Sequence, residues 1–515
     1  MKKYFKLGVI LLPIILFLFI YLPLINNLPV FGSDSAAYII LAKSLAEGDG
    51  YRDICLLNSP PHTKYPFVWP LLLTPIIYFS GYNFLLIKLL SIIMAICSLW
   101  FIYILFKDNL GKSEVFLLMV LTGLSPQVLS FCYGGSTEIP YLFFSLLALI
   151  FVKKYKEEER WLTKIVFVSV FFLLLSYFTR SIGISLLMAS LIYLFLEKER
   201  DKDFFLRIKK VILTGFLLAI PIILWTLRNS YVRGSFGITP QSAGFGNYFS
   251  ELIYLNNPFN YDERTRGLSD FILRVLGNVC AYTFYAFPKN LIDIQFSQRT
   301  IIAPILTIIV FLGFLYCLIK RRTIIEYYII FYISILFVWA TSATIGARYL
   351  MPIVPIIFYY FILGIKEILR VLKIKERFKR DIFVFCITLL LFFNVIGTIR
   401  FALPSEESVG GGFFKMGEWA EENTSSDAIF GSAGISSHWI YLYFKRKCSS
   451  DIPLTYNVPR IIDCIYNNKI EYVVVSPLSS MSLQYLKPAI EKNRGKFEVV
   501  YQEGENVIYR VEEVL

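Results

Sequence analysis

Long apolar runs, each bounded by charge, constrain this chain more than anything else in it. A helix needs roughly 18–20 apolar residues to span a bilayer. Runs near that length recur through the 515 residues, 56% of which are hydrophobic, far above an ordinary soluble domain. They predict about eleven spanning helices, at roughly 7–25, 83–106, 114–132, 138–152, 161–178, 181–196, 211–227, 300–319, 325–341, 350–369 and 381–399. The fold class is therefore an α-helical polytopic membrane protein. The first run, Leu7–Leu24, follows Lys2, Lys3 and Lys6 and lacks a small-x-small cleavage pattern, so it reads as a retained anchor.

Charge orients these helices. With the N-terminus cytoplasmic, alternate connections are basic: Lys107 and Lys112; Lys153, Lys154, Lys156 and Arg160; Lys198 to Lys210; Lys320 to Arg322; Lys366 to Arg380. That alternation satisfies the positive-inside rule. An odd number of crossings then predicts that the C-terminal segment lies outside. Residues 400–515 carry 12 Lys+Arg against 15 Asp+Glu, net −3, whereas the preceding 399 residues carry 39 against 23, net +16. A basic membrane part facing anionic lipid accounts for that excess, and no nucleic-acid module is present. The expected location is a multi-pass membrane protein of a cell membrane or an ER-type membrane.

The outer connections are long. Within residues 26–82, Val68–Ser80 is apolar but short and holds Pro70 and Pro75, which reads as an interfacial helix. Residues 229–298 contain an irregular Gly-rich part, GSFGITPQSAGFGNY, and an interfacial helix expected at Gly267–Phe287. The organisation expected is a transmembrane domain over 1–399 and a small extracytoplasmic α/β domain over 400–515. In the latter, Gly410–Gly412 reads as a hinge and Phe414–Glu422 as a helix. Strands are expected at Ala428–Ser432, Glu471–Ser476 and Val507–Val511, and helices at Pro459–Asn467 and Ser482–Asn493. Asn423-Thr-Ser is a glycosylation sequon. Among eight cysteines with no CxxC spacing, Cys97, Cys317 and Cys386 lie in apolar runs as packing residues, while Cys448 and Cys464 could pair outside the membrane. Only His62 and His438 are present, which excludes a His-rich metal site.

Six charged residues stand at or near the outer ends of apolar runs: Asp34, Lys64, Glu138, Arg180, Arg228 and Arg348. A charge at membrane depth is costly unless paired or wetted, so each is a functional candidate. The bland alternatives are snorkelling and structural ion pairs. Asp34, before the amphipathic stretch Ala36–Ala46, suits a base that takes a proton from a hydroxyl, or an N-cap, or both. Lys64, Arg180, Arg228 and Arg348 suit a phosphate at headgroup level, or ordinary lipid contact. Glu138 suits sugar hydroxyls or a metal, or a helix N-terminal charge.

These residues lie in short motifs: GSDSAAYIILAKSLAEGDGY, TKYPFVWPLLL, STEIPY, TRSIG, PxxxWTLRN over Pro221–Asn229, and ARYLMPIVP. In that order, from Gly32 to Pro355, the chain resembles the polytopic glycosyltransferases of the C fold, in particular the protein O-mannosyltransferase and aminoarabinose-transferase superfamily. The motifs do not reach the C-terminal domain. The resemblance implies a sugar donor linked through phosphate to a polyprenol such as dolichol or undecaprenol. It implies transfer to an acceptor hydroxyl on the outer face with inversion, as in protein glycosylation or the building of cell-envelope glycans. Asp34 matches the family's first-loop catalytic aspartate and Lys64 a basic residue placed at the lipid phosphate. Arg180 and Arg348 match basic motifs of the family.

The expected partners are a polyprenyl-phosphate-linked sugar, a lipid, glycan or protein acceptor, and membrane lipids. Some relatives place a second acid beside the first-loop aspartate; here the neighbour is Ser35, so a divalent cation is not firmly expected and no metal ligand is assigned. Two other readings stay open. A transporter or flippase for lipid-linked glycans would favour broken helices and repeated halves, and no internal repeat is visible. A non-catalytic membrane scaffold would make Asp34 and Lys64 dispensable.

Overall fold

Each expected apolar run is helical over most of its length in the computed structural model, which describes residues 2–26, 34–196, 204–236, 267–292, 302–339, 343–402, 409–449 and 452–512. Most of the Gly-rich part of the second long connection lies outside the described residues. The chain divides into two compact units. One comprises Met1–Pro29, Phe84–Thr226 and Phe271–Leu403; the other comprises Val30–Asn83, Leu227–Asp270 and Pro404–Leu515.

Among the described residues, six helices of the chain are long and apolar enough to cross a membrane: Phe84–Phe106, Phe204–Ser235, Leu268–Ile292, Ile302–Lys320, Gly346–Val371 and Glu376–Phe401. The expected run at 114–132 is a pair, Lys112–Gly123 and Pro126–Tyr133, bent by 48°. Pro126 cannot donate to the preceding turn and starts a new helix there. Lys164–Thr179, Ser181–Phe195 and Ile324–Val338 are apolar but shorter. The helix expected at Gly267–Phe287 as interfacial instead reaches Ile292 and is long enough to cross. Its first turns carry Asp270 and Arg274, which give the sequence its surface-helix look.

Within the first unit, side-chain amides satisfy carbonyls that helix ends leave open, which an apolar surrounding requires. Asn278 Nδ2 donates to the Phe337 and Trp339 carbonyls at 2.8 and 2.6 Å. Asn290 donates to the Ala347 carbonyl at 2.8 Å and Asn394 to that of Leu291 at 2.7 Å. Thr323 opens Ile324–Val338 with a capping box, its N–H and hydroxyl both donating to Glu326 Oε2 at 2.6 and 2.7 Å. Ile302–Lys320 and Val354–Val371 touch backbone to backbone at Gly313 and Gly364, where a Cβ would overlap the carbonyls of Tyr360 and Ile309.

The second unit holds Ser35–Ala46, which packs on Val68–Ser80 and on Ser437–Phe444. Because it is covered from both sides, the stretch read as amphipathic is mostly buried. A four-stranded sheet follows, ordered β1-β2-β4-β3, with β1 Phe430–Gly431, β2 Tyr472–Val475, β3 Phe497–Glu503 and β4 Asn506–Val511. β1 runs parallel to β2, and the other neighbours are antiparallel. Ile461, Ile462 and Ile465 of helix Val458–Asn467 pack with Val473, Val475 and Leu486 as its core. β3 and helix Ser437–Phe444 were not expected. Gly410–Gly412 is no hinge: it lies inside helix Val409–Asn423, and a Cβ on Gly412 would overlap the Asn506 amide of β4. Cys448 and Cys464 are both free thiols.

Replacing Gly364 with Val should force the two helices apart. The expected loss is about 1–3 kcal/mol, read as a lower melting temperature and a lower monodisperse yield in detergent; unchanged melting would show that the helices do not touch there.

Candidate functional site

The six charged candidates fall into two groups of three, one in each unit. Asp34 stands immediately before Ser35–Ala46, where an Asp commonly caps the helix. Its side chain makes no cap hydrogen bond. Its Oδ1 accepts instead from the Tyr65 hydroxyl at 3.0 Å. The carboxylate is thus tied to the segment that carries Lys64, whose Nζ lies 6.0 Å from the centre of the Tyr65 ring.

That segment is held from several sides. The Tyr65 N–H donates to His62 Nε2 at 2.7 Å, and the two rings stack with centres 5.2 Å apart. The Tyr51 hydroxyl lies within 3.0 and 3.2 Å of the Tyr65 and Pro66 carbonyls. Arg228, near the end of helix Phe204–Phe236, donates through Nη1 to the His62 carbonyl and, at 2.8 Å, to Asn229 Oδ1. Asn229 Nδ2 in turn donates to the Thr63 carbonyl at 3.3 Å. Arg228 therefore shapes the Lys64 turn through the backbone, and its five N–H donors also permit phosphate contact.

Beneath the turn lies a feature that sequence reasoning missed. His62 Nδ1 is 2.9 Å from both Asp53 oxygens. Since His62 Nε2 accepts from Tyr65, Nδ1 carries the proton and donates. His438 Nε2 sits 2.9 Å from Asp53 Oδ1, and Ser436 Oγ is 3.1 Å from His438 Nδ1. Burial pushes the Asp53 carboxyl up, but the His62 imidazole beside it and the hydrogen bonds from both rings outweigh this and hold it below the usual carboxylate range. Both histidines and Asp53 are plain in the sequence; 385 residues separate His438 from Asp53, and no spacing rule joins them.

In the first unit, Glu138 opens helix Glu138–Glu157 and is fully buried. Its Oε1 takes Arg180 Nη1 at 2.6 Å and also Arg348 Nε. Arg180 reaches Thr137 Oγ1 at 3.2 Å and lies 5.8 Å from the Tyr349 ring centre. Two guanidiniums against one carboxylate leave a net positive charge. Glu138 Oε2 is buried with no hydrogen-bond partner among the described residues. The three residues read separately in the sequence are thus one ionic cluster. Among the described residues, the group able to hold a metal is Asp53, Cys55 and His438, which contains neither Asp34 nor Glu138.

A family model described as dolichyl-phosphate-mannose-protein mannosyltransferase matches residues 64–225, a stretch containing Lys64, Glu138 and Arg180. No curated protein matches the chain. Among solved structures, the oligosaccharyltransferase of Archaeoglobus fulgidus, tethered to an acceptor peptide with an NVT sequon, shares a TM-score of 0.60 at 12% identity over 99% of this chain and 74% of that one. ArnT from Cupriavidus metallidurans, bound to undecaprenyl phosphate, shares 0.54 at 10% identity over 98% of each chain. At such identity the likeness is one of fold. The matched segment covers residues 64–225, and over the rest of the chain the likeness to these two structures is one of fold.

Proposed function

We propose that the chain moves a sugar from a polyprenyl-phosphate donor to an acceptor hydroxyl on the outer face of the membrane, inverting the anomeric carbon, with Asp34 as base. The observation that carries this reading is the Asp34 carboxylate, unused as a cap and fixed by Tyr65 beside Lys64. The donor class is supported by fold relatives held with such lipids: ArnT with undecaprenyl phosphate and the archaeal AglB with a dolichol-phosphate and an inhibitory peptide.

In this reaction the acceptor oxygen attacks the anomeric carbon opposite the phosphate. Its proton passes to Asp34, and the bond from that carbon to the phosphate oxygen breaks. Polyprenyl phosphate departs with one more negative charge, which Lys64 meets. A phosphate is already a workable leaving group, so a general acid is not needed. No step is routed through a metal. Arg228 supports the Lys64 turn and adds positive charge. Within the first unit, the Arg180–Glu138–Arg348 cluster carries a net positive charge of the kind a phosphate takes and, at Glu138 Oε2, an acceptor of the kind a sugar hydroxyl takes. The sidedness follows the basic loops, with the N-terminus cytoplasmic and residues 400–515 outside. The acceptor is a lipid, glycan or protein.

Asp34→Asn should lower transfer by about 100-fold or more while melting and lipid binding stay normal. Mass spectrometry of lipids co-purifying with that variant should find a polyprenyl-phosphate sugar; retained activity would sink the role of Asp34. Tyr65→Phe removes one hydrogen bond, expected to lower kcat by up to about tenfold with KM for the donor unchanged; a change confined to KM would assign Tyr65 to binding. Glu138→Gln takes the charge from between two guanidiniums, at an expected cost of about 3–5 kcal/mol. Thermal unfolding in nanodiscs checks this, and an unchanged melting temperature would remove Glu138 as the organiser of the cluster.

A further inference from the structure

Two segments of the second unit, far apart in sequence, bring together Asp53, Cys55 and His438. Their ligand atoms all lie within 4.8 Å of one another, and all three residues are buried. We infer that Asp53, Cys55 and His438 form a binding site for one zinc-class divalent cation, which fastens the first long connection to the C-terminal segment. The site is separate from the Asp34 and Glu138 groups and has no part in the proposed transfer step.

The donor set points to the ion. A thiolate, an imidazole and a carboxylate suit zinc among the divalent ions, whereas magnesium and calcium take oxygen ligands. Cys55 as thiolate, Asp53 as carboxylate and a neutral His438 cancel the ion's two charges, which a buried site requires. Ligands of a tetrahedral zinc lie about 3.3–3.7 Å apart. Asp53 Oδ1 and His438 Nε2 stand 2.9 Å apart, so a few tenths of an ångström of opening admits the ion between them. A water fills the fourth position of the tetrahedron.

The surroundings are arranged for it. His62 Nδ1–H holds both Asp53 oxygens while its other nitrogen is occupied by the Tyr65 N–H, so His62 orients the carboxylate and does not ligate. Ser436 Oγ lies against His438 Nδ1 and, as a hydroxyl, supports either tautomer. Without metal, Ser436 donates to Nδ1 and Nε2–H faces Asp53. With metal, Nδ1–H donates to Ser436 and the Nε2 lone pair faces the ion; the thiol proton of Cys55 is released to solvent. The backbone presets the approach: the Cys448 N–H donates to the Cys55 carbonyl at 2.8 Å and the Leu57 N–H to the Cys448 carbonyl at 3.1 Å.

Two other uses of Cys55 fit less well. Leu56 is the bridge partner of Cys448. Cys55 and Cys448 are both free thiols, so no disulfide joins them. A nucleophilic role needs substrate access, and Cys55 is 0% exposed.

The test uses the full chain in detergent, stripped of metal, re-equilibrated with zinc and dialysed against a weak chelator. Elemental analysis should find about one zinc per chain, as one site with three protein ligands predicts. Competition with a chromogenic chelator should show affinity lowered at least about tenfold in Cys55→Ser and His438→Gln, the size of effect that even an outer-shell partner has. Cys464→Ser, outside the cluster, should bind as the wild type does. Zinc should raise the melting temperature of the wild type and not of Cys55→Ser. If those variants fail to fold, cobalt added to the wild-type protein should give a thiolate-to-cobalt charge-transfer band. No retained zinc, equal retention by all variants as an adventitious ion only, or cobalt binding without a thiolate band would each overturn the site.

Discussion

The second unit turns on one buried carboxylate. Asp53 is 0% exposed and faces two imidazoles, one from its own connection and one from the C-terminal segment. An unpaired carboxylate in that place would be strongly destabilising, so the unit folds only in the arrangement that brings both rings to it. The consequence passes outward by hydrogen bonds. His62, oriented by Asp53, accepts the Tyr65 N–H and stacks on the Tyr65 ring; the Tyr65 hydroxyl then reaches Asp34. Each link fixes a direction for the next. The Asp34 carboxylate is thereby held through a chain of hydrogen bonds whose far end is buried.

The first unit meets a different constraint. Backbone groups in an apolar surrounding must find partners, and regular helices supply these everywhere except at their breaks. The breaks here coincide with buried asparagines. Asn290 and Asn394 serve the carbonyls of Ala347 and Leu291 while also bonding the Ala286 and Leu390 carbonyls one turn back in their own helices. Interruptions are therefore affordable where a side chain repairs them, and the same logic allows a helix to begin at Glu138 with its charged end inside the protein. The two arginines that meet Glu138 Oε1 keep that end from being an uncompensated charge.

The transfer proposed for the Asp34 site asks for modest chemistry, so few groups suffice. A donor activated as a phosphate ester leaves without protonation, so the protein has only to take one proton and receive one negative charge. Accuracy of placement then matters more than number of groups, since positioning supplies much of the rate and is lost with small displacements. That is why a tyrosine and an arginine that touch backbone or a neighbouring carboxylate belong to the description of the site as much as the residues proposed to meet substrate.

What could be read from the sequence follows the range of the interactions. The apolar runs declare themselves locally, and Val68–Ser80 has the same bounds in the sequence and in the structure. Asp34 and Lys64 stand out in the sequence because each sits in a short motif at a helix end. The groups that hold their segments do not, because they act at a distance: Tyr65 lies 31 residues from Asp34, Arg228 lies 166 from His62, and His438 lies 385 from Asp53. β3 escaped notice for a related reason. Only Phe497 is buried along it, so no buried face marks it, and its place comes from pairing with β4 across the turn at Gly504, whose φ of +61° suits glycine. The glycines at 410–412 mislead in the opposite way. Read locally they break a helix, but tertiary packing uses Gly412 to let that helix approach β4, and close approach of two backbones is information that only the partner segment carries.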